Sequence, residues 1–146
     1  MKFLTLLLFS VFTFSPPPWM TDFEQAKKTA QEKHQYILLS FSGSDWCGPC
    51  IRLHKEIFDS EAFTRLANNQ LVLVNADFPR LKKNQLSREQ QQQNDKLADQ
   101  YNAAGNFPFT VLLNTDGKII KEWDGFPKQG AAGFIDELNL AMHVNQ

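Results

Sequence analysis

The chain has 146 residues, 42% of them hydrophobic and 21% charged, with a formal net charge of -1 and two cysteines. That size suits one domain around a single core, and the mixture of apolar and charged residues excludes a disordered or fibrous chain. The 15 basic residues run from Lys2 to Lys128 among 16 acidic ones. No stripe of positive charge is available to neutralise a phosphate backbone, so no nucleic-acid partner is expected.

In chain order, Lys2 and the apolar run Phe3 to Phe14, broken only by Thr5, Ser10 and Thr13, have the charged start and short hydrophobic middle of a secretory signal. A membrane-crossing helix needs about 20 apolar residues, and Pro16, Pro17 and Pro18 stop this one early. No small-x-small cleavage site is present, and the candidate around Ser15 is followed directly by proline. Three readings stand: a cleaved signal peptide over residues 1–20, an uncleaved N-terminal anchor, or a buried strand. The first two place the remaining domain, residues 21–146, outside the cytoplasm, in the periplasm or facing it from a membrane anchor. No membrane span is expected unless the signal is uncleaved.

Thr21 with Glu24 reads as a capping box, and Phe23, Ala26 and Ala30 recur at helical spacing as far as Lys33. Tyr36 to Phe41 is a continuous apolar run that suits a strand buried on both faces. Gly43, Ser44 and Asp45 turn the chain. Helical periodicity returns from Cys50 through Ile57 and Phe58, and Asp59-Ser60 opens a further helix carrying Phe63, Leu66 and Ala67. Leu71 to Ala76 is a second buried strand. Pro79 to Gln100 is polar; Ser87 and Gln90 mark a helix start, and only Leu97, Ala98 and Tyr101 supply an apolar stripe, which predicts a half-solvated inserted helix. Phe109 to Leu113 and Ile119 to Trp123 are strands joined by Asn114-Thr115-Asp116-Gly117, a hairpin signal. A last helix places Phe134, Ile135, Leu138, Ala141 and Met142 on one face. The pattern predicts an α/β fold with a mixed four-stranded central sheet covered by helices on both faces.

Trp46-Cys47-Gly48-Pro49-Cys50 falls after the first buried strand and at the start of a helix. Two cysteines at this spacing can form a small disulfide, and the helix dipole with its free N–H groups stabilises a thiolate at the first of them. Lowering a thiol pKa from about 8.5 to about 7 corresponds to roughly 2 kcal/mol of preference for the thiolate. Pro49 near a helix start loses no needed hydrogen bond. The competing readings are a structural bridge or half of a metal site. A bridge over so short a loop contributes little stability. Zinc needs four ligands, and only His34, His54 and His143 remain, of which His54 alone lies close, four residues past Cys50. No metal site and no cofactor are expected.

The segment YILLSFSGSDWCGPC, the apolar strand ending in Asp77, the Asn106-Phe107-Pro108 step before a strand and the TDGK hairpin together resemble the thioredoxin superfamily over nearly everything after Met20. The wider frame is similar to exported thioredoxin-like proteins and to the C-terminal domain of the bacterial transmembrane disulfide reductase. The resemblance implies that Pro108 is a cis-proline facing the cysteines and that Phe107 lines a substrate groove, with Phe109, where thioredoxin has threonine, making that groove more apolar. It also exposes a gap. Ser40 stands where thioredoxin has a buried aspartate that helps move the proton of the second cysteine, and the lysine partner of that aspartate falls at about Leu73. Either water, Asp45 or another acid takes over this step or the resolving step is slower; His54, one helical turn past Cys50, is a further candidate. The competing readings are that Asp45 only caps the turn and that His54 is a partly exposed helix residue.

The chemistry these residues imply is thiol-disulfide exchange, with Cys47 as nucleophile, Cys50 as the more buried resolving thiol and Trp46 packing beside them. The expected partners are protein disulfides and an upstream thiol electron donor. Potentials in such proteins span about 150 mV, or roughly 7 kcal/mol, and the Gly48-Pro49 pair resembles the reducing end. The alternative is a non-catalytic module that binds extended peptides at the Phe107-Pro108-Phe109 groove, with Cys47 and Cys50 joined as a staple. The Lys82-Lys83 pair and the glutamines 90–93 read as a solvated face that could select a partner.

Overall fold

The computed structural model describes residues 15–144. The expected leader run, Lys2 to Phe14, lies outside the described residues. Five strands form one sheet in the order β1-β3-β2-β4-β5: β1 (Trp19–Met20), β2 (Tyr36–Ser42), β3 (Leu71–Asp77), β4 (Phe109–Leu113) and β5 (Ile119–Asp124). The first three are parallel to one another, whereas β4 runs antiparallel to both of its neighbours, β2 and β5. The sheet is therefore mixed, as expected, but has five strands instead of four. The extra one is β1, which pairs Trp19 with Leu73 and Met20 with Val74. Two residues carry no alternation of their own, so only the neighbouring strand makes them a strand. They also lie before Thr21, and the sheet therefore begins ahead of the expected boundary.

Strands β2 and β3 are continuous apolar runs because helices cover both faces. On one side α1 (Phe23–Lys33) and α4 (Arg88–Tyr101) pack Phe23, Ala26, Ala30, Leu97 and Tyr101 against Ile37, Leu39, Phe41, Val72 and Val74. On the other, α2 (Gly48–Leu53), α3 (Glu61–Gln70) and α5 (Gly130–Val144) pack Leu53, Phe63, Leu66, Phe134, Leu138 and Met142 against Leu38, Leu73 and Leu112. Burying a side chain of this size contributes about 1.5–3 kcal/mol, so both faces are needed to hold the sheet.

Three local details differ from the pattern read in the sequence. The cap of α1 is Asp22, whose carboxylate accepts from Gln25 N–H at 3.0 Å, and not Thr21. Helix α4 is more than an insertion: Asn94, Leu97 and Tyr101 are buried, and Tyr101 O–H donates to Gly117 O at 2.8 Å, tying α4 to the hairpin turn. After α2 the helix widens into a π-turn over His54–Phe58, closed by Asp59 N–H on His54 O at 2.8 Å. Both Ile57 and Phe58, adjacent in sequence, are buried in it. Such turns hold an extra residue and recur beside functional sites.

Candidate active site

Strand β2 ends at Ser42, and the chain turns back over its own end through Gly43 to Trp46. Two hydrogen bonds close this turn, from Trp46 and Cys47 N–H to Gly43 O at 3.2 and 2.9 Å. Asp77, at the end of the neighbouring strand, fixes the turn from the side by accepting from Ser44 N–H at 2.9 Å and from the Ser44 hydroxyl. The turn delivers Cys47 to the N-cap position of α2, with Gly48 and Pro49 in the first turn. Cys47 and Cys50 are joined by a disulfide, and Cys50 N–H points at Cys47 Sγ at 3.3 Å. A donor aimed at that sulfur, at the positive end of a helix, favours a thiolate there once the bridge is reduced. Cys47 retains 4% exposure and Cys50 1%, so an incoming group reaches Cys47 first.

One side of the disulfide is aromatic. The Phe107-Pro108 peptide is cis, and Phe107 stacks edge-on against Trp46 and Phe78 with centroids 5.4 Å away in each case. Trp46 Nε1–H donates to Phe78 O at 2.7 Å, and the Arg80 guanidinium lies 3.6 Å from a Trp46 ring centroid. The loop into Pro108 is braced by Asn102, whose side chain bonds both Asn106 O and Asn106 N–H at 2.9 and 3.0 Å. Phe109 is half-buried and packs on Phe41 and the α1/α4 core, at 6.3 Å between centroids.

The other side is a cleft of about 480 Å³, lined by Ser42, Ser44, Cys50, Ile51, His54, Lys55 and Asp59. His54 stacks between Trp19 at 5.0 Å and Phe58 at 5.1 Å. Burial in this apolar seat holds its pKa below the usual histidine value, opposed in part by Asp59 and Asp77, so the ring is neutral at pH 7. Beneath lies a row of polar residues in register across the sheet, Asn75, Ser40 and Thr110. Ser40 Oγ and Asn75 Oδ1 are buried without a hydrogen-bond partner. Leu73 pairs with Leu38 on the same face, so neither Ser40 nor Leu73 offers a titrating group.

Trp46, Cys47, Gly48, Pro49 and Cys50 thus share one turn, Phe107 stacks on Trp46 with the cis Pro108 next in the chain, and His54 lines the same cleft as Cys50. Asp45 is the exception. Its two carboxylate oxygens accept from Arg80 N–H and Leu81 N–H at 2.9 Å each and from Asn84 Nδ2 at 3.0 Å. The Arg80 N–H above all holds its carboxyl below the usual carboxylate range. So engaged, Asp45 anchors the loop that follows β3. Gly43 was not singled out by its sequence setting: an added Cβ there would overlap the Trp46 indole. Phe78, Arg80 and Asn102 were missed as well, because their partners lie distant in sequence or belong to the backbone.

Residues 23–138 match the model of the thioredoxin-like domain family. The chain is 34% identical over 122 residues to the disulfide bond reductase DsbH of Chlamydia pneumoniae, covering 84% of this chain and 71% of that protein. It superposes on a solved DsbH oxidoreductase structure with a TM-score of 0.81 and 30% identity, covering 97% of this chain and 95% of that one. The oxidised C-terminal domain of DsbD from Neisseria meningitidis is similar in fold, with a TM-score of 0.55, 17% identity and coverage of 81% and 90%.

Proposed function

The chain belongs to the thioredoxin-like domain family as a thiol-disulfide oxidoreductase, and from that premise we propose that it reduces disulfides in exported proteins through Cys47 and Cys50. The observation that carries this reading is Cys47 at the helix start, with Cys50 N–H on its sulfur and the aromatic, cis-proline side next to it. In the reduced protein the Cys47 thiolate attacks one sulfur of the substrate disulfide. A new sulfur-sulfur bond forms as the substrate bond breaks, and the departing substrate thiolate takes up a proton. Cys50 then loses its proton, attacks Cys47 Sγ and releases the second substrate thiolate. Two electrons have passed from the dithiol to the substrate, and an upstream thiol donor must return them.

His54 is the group we assign to accept the Cys50 proton, because it is neutral at pH 7 and lines the same cleft as Cys50. Unpartnered Ser40 Oγ and Asn75 Oδ1 supply buried polar atoms that a water could bridge. Trp46, Phe107 and Pro108 form the substrate groove. The reading of the bridge as a mere staple has little physical support, because a loop spanning a sequence separation of 3 restrains the unfolded chain weakly. Export is supported by the signal-like start of the chain. No helix among the described residues is long and apolar enough to cross a membrane.

The test is trapping. Cys50→Ser should accumulate mixed disulfides with exported proteins, Cys47→Ser should trap none, and wild type should reduce an insulin-type disulfide with a dithiol as donor. Failure of both trapping by Cys50→Ser and reduction by wild type would remove the enzymatic reading.

A further inference from the structure

Three cations stand within four residues of the loop after β3: Arg80, Lys82 and Lys83, all exposed. None of them has a carboxylate at ion-pair distance among the described residues, a state they share with Lys28, Lys33, Lys55, Arg88, Lys96, Lys118 and Lys128 and not with Lys27, Arg52, Arg65 and Lys121; what sets them apart is that all three stand on one short loop. Two acids near this loop are already engaged by hydrogen bonds. Asp45 is taken up by Arg80 N–H, Leu81 N–H and Asn84 Nδ2. Asp77 is taken up by Ser44 and by Phe78 N–H. The three cations therefore remain without a carboxylate partner, while Asp45, the acid that holds the loop, is engaged by two backbone N–H groups and Asn84.

The loop is also fixed in place relative to the reacting sulfur. Asp45 and Trp46 immediately precede Cys47, and both grip the loop, Asp45 through its hydrogen bonds and Trp46 through the Arg80 guanidinium 3.6 Å from its ring centroid. Trp46 in turn touches Phe107, the residue before the cis-proline. Leu81, 48% exposed between the cations, adds an apolar step on the same rim. A cation stacked on an indole beside the nucleophile is a fixed charge at the edge of the groove, and fixed complementary charge steers encounter and selects partners.

We propose that the segment 80–83 is a docking rim for protein substrates that carry acidic side chains beside the cysteine to be attacked. This assignment rests on the reductase reading above and gives that reaction a substrate class. The occupant is a protein segment and not a lipid surface, because Arg80 stacks on Trp46 at the edge of the groove in which the substrate cysteine must lie, and Lys82 and Lys83 follow it on the same loop.

The experiment uses the full reduced protein and two synthetic peptides, each closed by one disulfide and differing only in an Asp-Asp or a Lys-Lys pair next to the first cysteine. Single-turnover rates at low salt should favour the acidic peptide by about tenfold, and the preference should shrink toward unity in high salt, where surface charges are screened. Lys82→Glu/Lys83→Glu should invert the order, and Arg80→Gln should weaken it. Equal rates for the two peptides, or a preference that survives charge reversal, would overturn the rim while leaving the reductase reading intact. Neutral bis(2-hydroxyethyl) disulfide separates the two cases: a reduced protein that attacks neither it nor the peptides takes down the reductase reading and the rim with it.

Discussion

The two sides of the Cys47–Cys50 bridge are built on opposite plans. On the aromatic side every group is held by several others: Trp46 is bonded to Phe78 O, stacked by Arg80 and Phe107, and seated on Gly43. On the cleft side the groups are under-determined, with a half-buried His54 and two buried oxygens that lack partners. Unsatisfied buried polar atoms cost roughly 1–3 kcal/mol each, which a core under no other demand would eliminate. The difference assigns tasks. A surface that must present one shape to substrate gains from being over-fixed, whereas a site that passes a proton needs polar atoms free to take it.

The largest expected effect lies on the rigid side. Gly43→Ala drives a methyl into the indole, and the ring cannot yield without losing its bond to Phe78 O and its stacking. Overpacking of this kind costs about 1–3 kcal/mol. Thermal denaturation should show that loss, and kinetics on a protein disulfide should show a KM raised by about tenfold (the same free energy read at the groove) with kcat little changed. A fall in kcat alone would mean that the aromatic side takes part in chemistry, and the contrast between the two sides would collapse.

The next effect separates the sides by step instead of by affinity. His54→Gln keeps a polar side chain but removes the proton acceptor, so release of the mixed disulfide should slow by about tenfold, at the low end for loss of a general base because water can substitute. Stopped-flow and acid-quench trapping should show the first attack by Cys47 unchanged and the mixed disulfide persisting. In wild type the second step should fall as pH drops through the lowered His54 pKa, and the variant should lose that limb. An unaltered second step would show that His54 is only a packing residue between Trp19 and Phe58.

How much of this was legible follows from the range over which each feature is determined. Strand β2, the cysteine pair at the helix start and the 114–117 turn are written in contiguous residues, the cis Pro108 is implied by the family resemblance, and the structure has each of them. Strand β1 is two residues made into a strand by β3, more than fifty positions away, so neither its existence nor the fifth strand had a local signal. In sequence Asp45 offers two readings, a turn cap and a proton carrier beside the cysteines. Its neighbourhood in space is the loop 80–84, and the three hydrogen bonds found there turn it into an anchor. The glycine of SGSDWC read as a turn former, and only the placement of the indole reveals it as a seat.

The smallest effect is on stability, and its sign discriminates the cleft from the rest of the molecule. The fold lowers the His54 pKa from 6.5 by desolvation, the dominant cause, so the unfolded chain binds the proton more readily than the native one. Stability from this group is complete above about pH 6.5 and is lost as pH falls from there through the lowered native value. Carboxylates act in a different window. Asp45, Glu56 and Glu137, whose pKa values the fold lowers chiefly through the Arg80 N–H, the Arg52 guanidinium and the Lys121 ammonium respectively, contribute stability above their ordinary values near 4 and lose it only below. Below about pH 6.5 and before the carboxylates begin to titrate, then, His54 should dominate the acid slope, with Tm falling as pH drops. His54→Gln should flatten the curve in that interval and leave the steeper loss below pH 4 in place. A wild-type Tm that is level down to pH 5 would mean that water already solvates His54, and the cleft would then be as open to protons as the surface.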